Sequence, residues 1–177
     1  RLVGSEMCIR DRSGTTKAGT FVSKKSASAA PSSVEYRLNL GNTLADLGQR
    51  SEAEAMLRRL RMDVPDSGLI AAALARVLLN GGQVDEALSL LKQACDLEPN
   101  EAKYHLNYGA LLAMTGRVTE PLEHFQKAIR LKPDCWAAWV DMGNLLGDLG
   151  KLQESKRCFE VVVERVPDHQ DALAGLG

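Results

Sequence analysis

Seven side chains of this chain could hold a metal ion or act as nucleophile and base: Cys8, Cys95, Cys135 and Cys158, with His105, His124 and His169. Zinc sites usually show ligand pairs separated by roughly two to four residues, because one turn or helix end must present both to a single ion. No Cys-x-x-Cys, no His-x-x-x-His and no mixed pair at such a spacing occurs. The cysteines are therefore expected to be free thiols in a reducing, cytoplasmic compartment, and the histidines to be packing or surface residues. There is also no Gly-rich phosphate loop, no Gly-x-Ser-x-Gly and no Cys/His pair with an orienting third group. The sequence predicts no catalytic residues, no metal, no cofactor and no enzymatic activity of its own.

Bulk composition narrows the partners. The 177 residues are 45% hydrophobic and 25% charged with a formal net charge of −1, so no broad basic field exists to collect phosphates, and nucleic acid is not expected as a partner. No apolar run approaches the roughly 18 residues a spanning helix needs, so no membrane span is expected.

The feature that organises the chain is a 34-residue period. Pro65, Pro99, Pro133 and Pro167 recur at that step, each followed by Asp or Asn, and Gly48, Gly82, Gly116 and Gly150 recur in phase. Between them run Leu40, Leu74, Tyr108 and Met142, then Gly41, Ala75, Gly109 and Gly143, then Leu44, Leu78, Leu112 and Leu146. After each glycine come Ala53, Ala87, Pro121 and Ser155, then Leu57, Leu91, Phe125 and Phe159. Within one copy Arg37, Leu40, Gly41 and Leu44 fall at i, i+3, i+4, i+7 and Ala53, Leu57 and Leu60 at i, i+4, i+7, the stripes of amphipathic helices. A period of this size marks a supersecondary unit that must stack on copies of itself to bury its apolar face.

Each unit therefore reads as two helices, about 34–47, 68–81, 102–115 and 136–149 for the first and 51–64, 85–98, 119–132 and 153–166 for the second. The glycine closes the first helix in a left-handed conformation. The proline ends the second, and the Asp or Asn after it is expected to cap the next helix. Mid-helix Gly41, Gly109 and Gly143 imply close packing, expected against the small column Ala53, Ala87, Pro121 and Ser155. Pro121 is tolerated in a first turn if Thr119 caps that helix. Trp136 and Trp139 are expected to pack on the preceding helix.

Units are assigned to 34–67, 68–101, 102–135 and 136–169, with a truncated first helix of a fifth at 170–177. Leu176-Gly177 are in register with Leu40-Gly41, so the protein is expected to continue. Residues 1–12 resemble translated sequencing-adapter read-through. Residues 13–33, rich in Ser, Thr, Ala, Gly and Lys, read as a disordered linker.

The segments Leu-Gly-Asn-Thr-Leu-Ala-Asp-Leu-Gly at 40–48 and Met-Gly-Asn-Leu-Leu-Gly-Asp-Leu-Gly at 142–150 carry a family signature. With the recurring Ala, Phe and Pro columns, the chain from 34 to 177 resembles the tetratricopeptide repeat (TPR) family. Arg37, Ala71 and His105 stand where that family favours an aromatic. The resemblance implies an all-α solenoid of antiparallel helix hairpins in a right-handed superhelix. Its concave groove, lined by the first helices, would grip an extended or helical segment of a protein or peptide partner. Carried onto this chain, that groove holds Leu38 and Asn42; Leu69, Ala72, Arg76 and Leu79; Lys103, Leu106, Ala110 and Met114; and Val140 and Asn144.

The carboxylate clamp of the co-chaperone members is incomplete here. Asn42 and Lys103 match it, whereas Leu38 and Asn107 replace a lysine and an arginine. Asn39, Asn42, Asn107 and Asn144 are similar to the asparagines that read peptide backbone in repeats preceding O-linked N-acetylglucosamine transferases, though Ala73 and Asp141 break that ladder. The expected function is a peptide-binding scaffold. The alternative is the substrate-presenting arm of a larger glycosyltransferase, sulfotransferase or methyltransferase, and self-association through exposed end repeats is a further reading.

Overall fold

The computed structural model describes residues 34–177, which form one compact unit; the readings of 1–12 and 13–33 lie outside the described residues. Among these residues there are nine helices and no strand. They are α1 Val34–Asp46, α2 Arg50–Asp63, α3 Gly68–Leu79, α4 Val84–Leu97, α5 Ala102–Met114, α6 Thr119–Leu131, α7 Trp136–Asp148, α8 Leu152–Arg165 and α9 Gln170–Leu176. Every helix packs on the next in sequence, and α1 meets α3, α5 meets α7 and α7 meets α9. The result is an all-α solenoid of helix hairpins. No described helix is long and apolar enough to cross a membrane.

The turn glycines explain the hairpins. Gly48, Gly82, Gly116 and Gly150 have φ of 77, 76, 79 and 73°, where a side chain would be strained. This lets the N–H of the residue after each glycine donate back to the carbonyl five residues earlier. The four bonds, Gln49 to Leu44, Gln83 to Leu78, Arg117 to Leu112 and Lys151 to Leu146, span 2.9, 3.0, 3.2 and 2.9 Å. They satisfy carbonyls that a helix end would leave bare.

Three local expectations are corrected. Pro and its following Asp or Asn form a turn one step early, so the caps of α3, α5, α7 and α9 are Ser67, Glu101, Cys135 and His169. Of these, Ser67 accepts from the Ile70 N–H and His169 from the Ala172 N–H. Val118, not Thr119, precedes α6, and Pro121 still falls in the first turn, where its missing N–H costs nothing. The mid-helix glycines make room for the large column: a Cβ on Gly41, Gly109 or Gly143 would lie 2.8, 2.9 or 2.8 Å from the side chain of Leu57, Phe125 or Phe159. Burying each such side chain contributes about 1.5–3 kcal/mol. Ser155 adds a bond from its hydroxyl to the Gly143 carbonyl at 2.7 Å.

Trp139 packs on the cluster containing Phe125 and Ile129 of α6, as expected, and also on the cluster of Val140, Phe159, Val162 and Ala172, which Trp136 joins.

Candidate functional site

The first helices of successive hairpins are not evenly spaced. Between α3 and α5 the approach is looser than in the α1/α3, α5/α7 or α7/α9 pairs, and Tyr104 stands at that junction. Ile70, Tyr104, Ala138 and Ala172 occupy equivalent positions. Tyr104 is buried, and its ring lies 3.0 Å from where a Cβ on Gly68 would be. The Glu98 carboxylate holds the wedge in place by accepting from the Gly68 N–H at 2.9 Å and from the Tyr104 hydroxyl at 3.4 Å. Burial, with Glu98 beside it, raises the Tyr104 pKa, so the phenol stays neutral and donating. At the next junction Ala138 sits in one cluster with Ala102, and the helices close up.

A recess of about 670 Å3 opens along this looser seam. Its α3 wall is Leu69, Ala72, Ala73, Arg76 and Leu79, and its α5 wall is Lys103, Asn107, Ala110 and Met114, both with helical spacing on one face. Leu91, Tyr104 and Leu111 form the floor, and Asn42 and Asp46 of α1 form one end. The rim keeps apolar groups in water, with Met114 82% and Leu69 45% exposed. Arg76 is engaged: it donates to Asp46 at 2.9 Å and to the Asn42 side-chain oxygen at 3.1 Å. Lys103 lies 3.8 Å from Glu101 and 5.0 Å from the centre of the Tyr104 ring.

Of the residues assigned to the groove, Asn42, Leu69, Ala72, Arg76, Leu79, Lys103, Ala110 and Met114 line this recess, and Leu38, Leu106, Val140 and Asn144 do not. Leu38 and Val140 are buried in hydrophobic clusters, which corrects their assignment as contact residues. Leu106 packs against Ala102, Ala128 and Ala138, and Asn144 is exposed away from the recess. Leu38, Ala72, Leu106 and Val140 share one column. Leu38 and Val140 are buried and Leu106 is half-buried under its neighbours, whereas Ala72 lies on the wall of the recess.

The structure also brings together three side chains whose sequence spacing carried no signal. Cys95 of α4, His105 of α5 and His124 of α6 each present one potential ligand atom, all within 4.8 Å of one another. Cys95 and His105 are buried and His124 is half-buried. The His105 Nδ1 and His124 Nδ1 atoms are 3.0 Å apart, and His105 Nε2 is 3.0 Å from the Pro99 carbonyl. Burial pushes the Cys95 thiol up to about 11, with Asp96 adding to the effect. Burial likewise lowers both imidazoles, His124 further by its neighbour His105, so the rings are neutral. Cys135 and Cys158 are free, and burial raises the Cys158 thiol to about 11.

Comparison with known proteins agrees with the architecture. Tetratricopeptide repeat models match residues 38–99 and 72–134, and a further one matches 137–169. No curated protein matches the chain. Among solved structures, MamA is similar at 24% identity and a TM-score of 0.72, over 81% of this chain and 84% of that one. YrrB, a TPR protein with an unusual peptide-binding site, is similar at 19% identity and a TM-score of 0.71, over 86% and 78%. A Thermobaculum terrenum O-GlcNAc transferase variant is similar at 23% identity and a TM-score of 0.69, over 75% of this chain but 26% of that one. Such identities establish a shared fold and nothing finer.

Proposed function

We infer that this chain, which belongs to the tetratricopeptide repeat family, takes an extended or helical segment of a protein partner in the recess between α3 and α5. The observation that carries this is the seam itself: a 670 Å3 opening with a mostly apolar wall in a solenoid whose other first helices close up. That volume falls within the range of about 300–1,000 Å3 that ordered ligands occupy. Ala72, Ala73 and Ala110 leave the walls low enough for partner side chains to reach the floor at Leu91 and Leu111. Lys103 and Asn107 supply a cation and an amide for backbone or acidic groups, so binding weakens with salt. The repeats bind and do not turn over substrate. Placement on a larger enzyme would use the same recess to present a protein substrate, and the likeness to the transferase supports that only at the level of fold.

Selection of displayed random peptides on the full chain tests the assignment. Binders are expected to lose affinity when Ala110→Trp fills the recess, and to weaken when Lys103→Glu reverses its charge. Peptides whose affinity survives Ala110→Trp would place the binding surface elsewhere.

A further inference from the structure

We propose that Cys95, His105 and His124 form a binding site for a borderline-soft divalent cation of the zinc class, leaving one coordination position for a fourth ligand. Thiolate with imidazole is the donor set such ions select. The three donors come from three successive helices, and their ligand atoms already lie within 4.8 Å of each other. Around a tetrahedral zinc, with bonds of about 2.0–2.1 Å to nitrogen and about 2.3 Å to sulfur, ligand atoms sit about 3.3–3.6 Å apart. Closure needs side-chain shifts of about 1 Å at most.

Hydrogen bonding prepares one ligand. A carbonyl can only accept, so His105 Nε2–H donates to Pro99 O at 3.0 Å, which leaves the lone pair on Nδ1. An imidazole held by a backbone carbonyl on one nitrogen with the other free is the usual outer-sphere arrangement of a metal-bound histidine. His124 Nδ1–H then donates to that lone pair at 3.0 Å. A cation takes the place of this single proton, and the two nitrogens need to part by only about 0.3 Å. The His124 ring lies within 25° of the His105 plane, with centroids 5.3 Å apart as the bond between them requires, and its edge contact with Tyr108 at 4.7 Å helps to hold it.

The bond to Pro99 does not by itself account for a histidine. One repeat later Trp139 makes the same bond, Nε1–H to Pro133 O at 3.1 Å, with no second nitrogen to offer. Equivalents of Cys95 and His124 there are Ile129 and Cys158, and one repeat earlier the three positions hold Arg61, Ala71 and Leu90. The donor set exists at one junction. Charged neighbours are Lys127 near all three side chains, Asp96 near Cys95 and His105, and Glu120 and Glu123 near His124, so carboxylates outnumber the cation. Binding releases one proton, from the thiol, and moves the His124 proton from Nδ1 to Nε2. The ion then ties α4, α5 and α6 together behind the recess.

Titration of the metal-free full chain with Co2+ is the test. One equivalent is expected to bind with the strong visible bands of a tetrahedral site and a thiolate charge-transfer band in the near ultraviolet, and Zn2+ should displace it. Cys95→Ala should abolish the charge-transfer band and His124→Gln should weaken affinity about tenfold or more, while Cys135→Ala leaves both intact. Should Cys95→Ala unfold by circular dichroism, imidazole 15N NMR of the unaltered chain decides, with Zn2+ moving the His105 and His124 nitrogens and leaving His169 unmoved. Absence of stoichiometric binding, a band that survives Cys95→Ala in a folded protein, or unshifted His105 and His124 nitrogens would overturn the proposal.

Discussion

The junction around His105 and Tyr104 and the junction around Trp139 and Ala138 are built on the same frame and end differently. In both, a ring nitrogen six residues past a proline carbonyl donates to that carbonyl, at 3.0 Å from His105 and 3.1 Å from Trp139. In both, an aromatic side chain from the second helix lies over a first-helix glycine, Phe125 on Gly109 and Phe159 on Gly143. The difference lies in the residue just before the ring. Tyr104 drives α5 off the start of α3 and leaves a recess, whereas Ala138 lets α7 close on α5. The hairpins stay constant between these two junctions while the seam differs, and Tyr104 against Ala138 is the change that lies at it.

The strongest test of that difference removes the wedge. Tyr104→Ala deletes a buried ring and is expected to cost about 3–5 kcal/mol in urea unfolding, with loss of peptide binding even under conditions where the chain stays folded. The reciprocal Ala138→Tyr forces a ring into a closed seam and should cost about 1–3 kcal/mol. If it cost nothing, side-chain size in this column would not be what sets the spacing.

Gly109→Ala and Gly143→Ala probe what the two regions share. Each new Cβ meets a phenylalanine ring at 2.9 or 2.8 Å, a clash partly offset by the better helix propensity of alanine. A net loss of about 1–2 kcal/mol is expected in both, by thermal or urea unfolding. Markedly unequal losses would mean that the hairpins, and not only the seams, differ.

The smallest effect is electrostatic and belongs to the α7 side. Burial, with Asp171 nearby, raises the Asp141 pKa. A carboxyl whose folded pKa lies above its unfolded value opposes folding once ionised, so its penalty is present above the folded pKa and disappears as pH falls toward the ordinary carboxylate range. Asp141→Asn should therefore raise the melting temperature at pH 7, and the gain should vanish in acid. An equal gain at both pH values would assign the effect to packing.

Much of this architecture was legible in the residues, and the reason is locality. A glycine that must take positive φ, a proline that cannot continue a helix and an apolar stripe with helical period act within a few residues, so the turns at Gly48, Gly82, Gly116 and Gly150 could be read directly. The cap positions slipped by one residue because each proline and the Asp or Asn after it are taken up in a turn, and the helix starts beyond them. The groove was read from the family frame, and that frame treats all seams alike. Leu38 and Val140 went into the core because neighbouring first helices approach closely there, a distance no single unit encodes.

The amino-acid order alone determined the repeat, its helices and its turns, since these follow from backbone stereochemistry and periodic burial over short spans. Only the tertiary structure decided where the solenoid opens and that Cys95, His105 and His124 meet. The opening lies where a tyrosine is pressed against a glycine 36 residues away, and the cluster depends on how three helices from two repeats pack, distances that no single unit encodes.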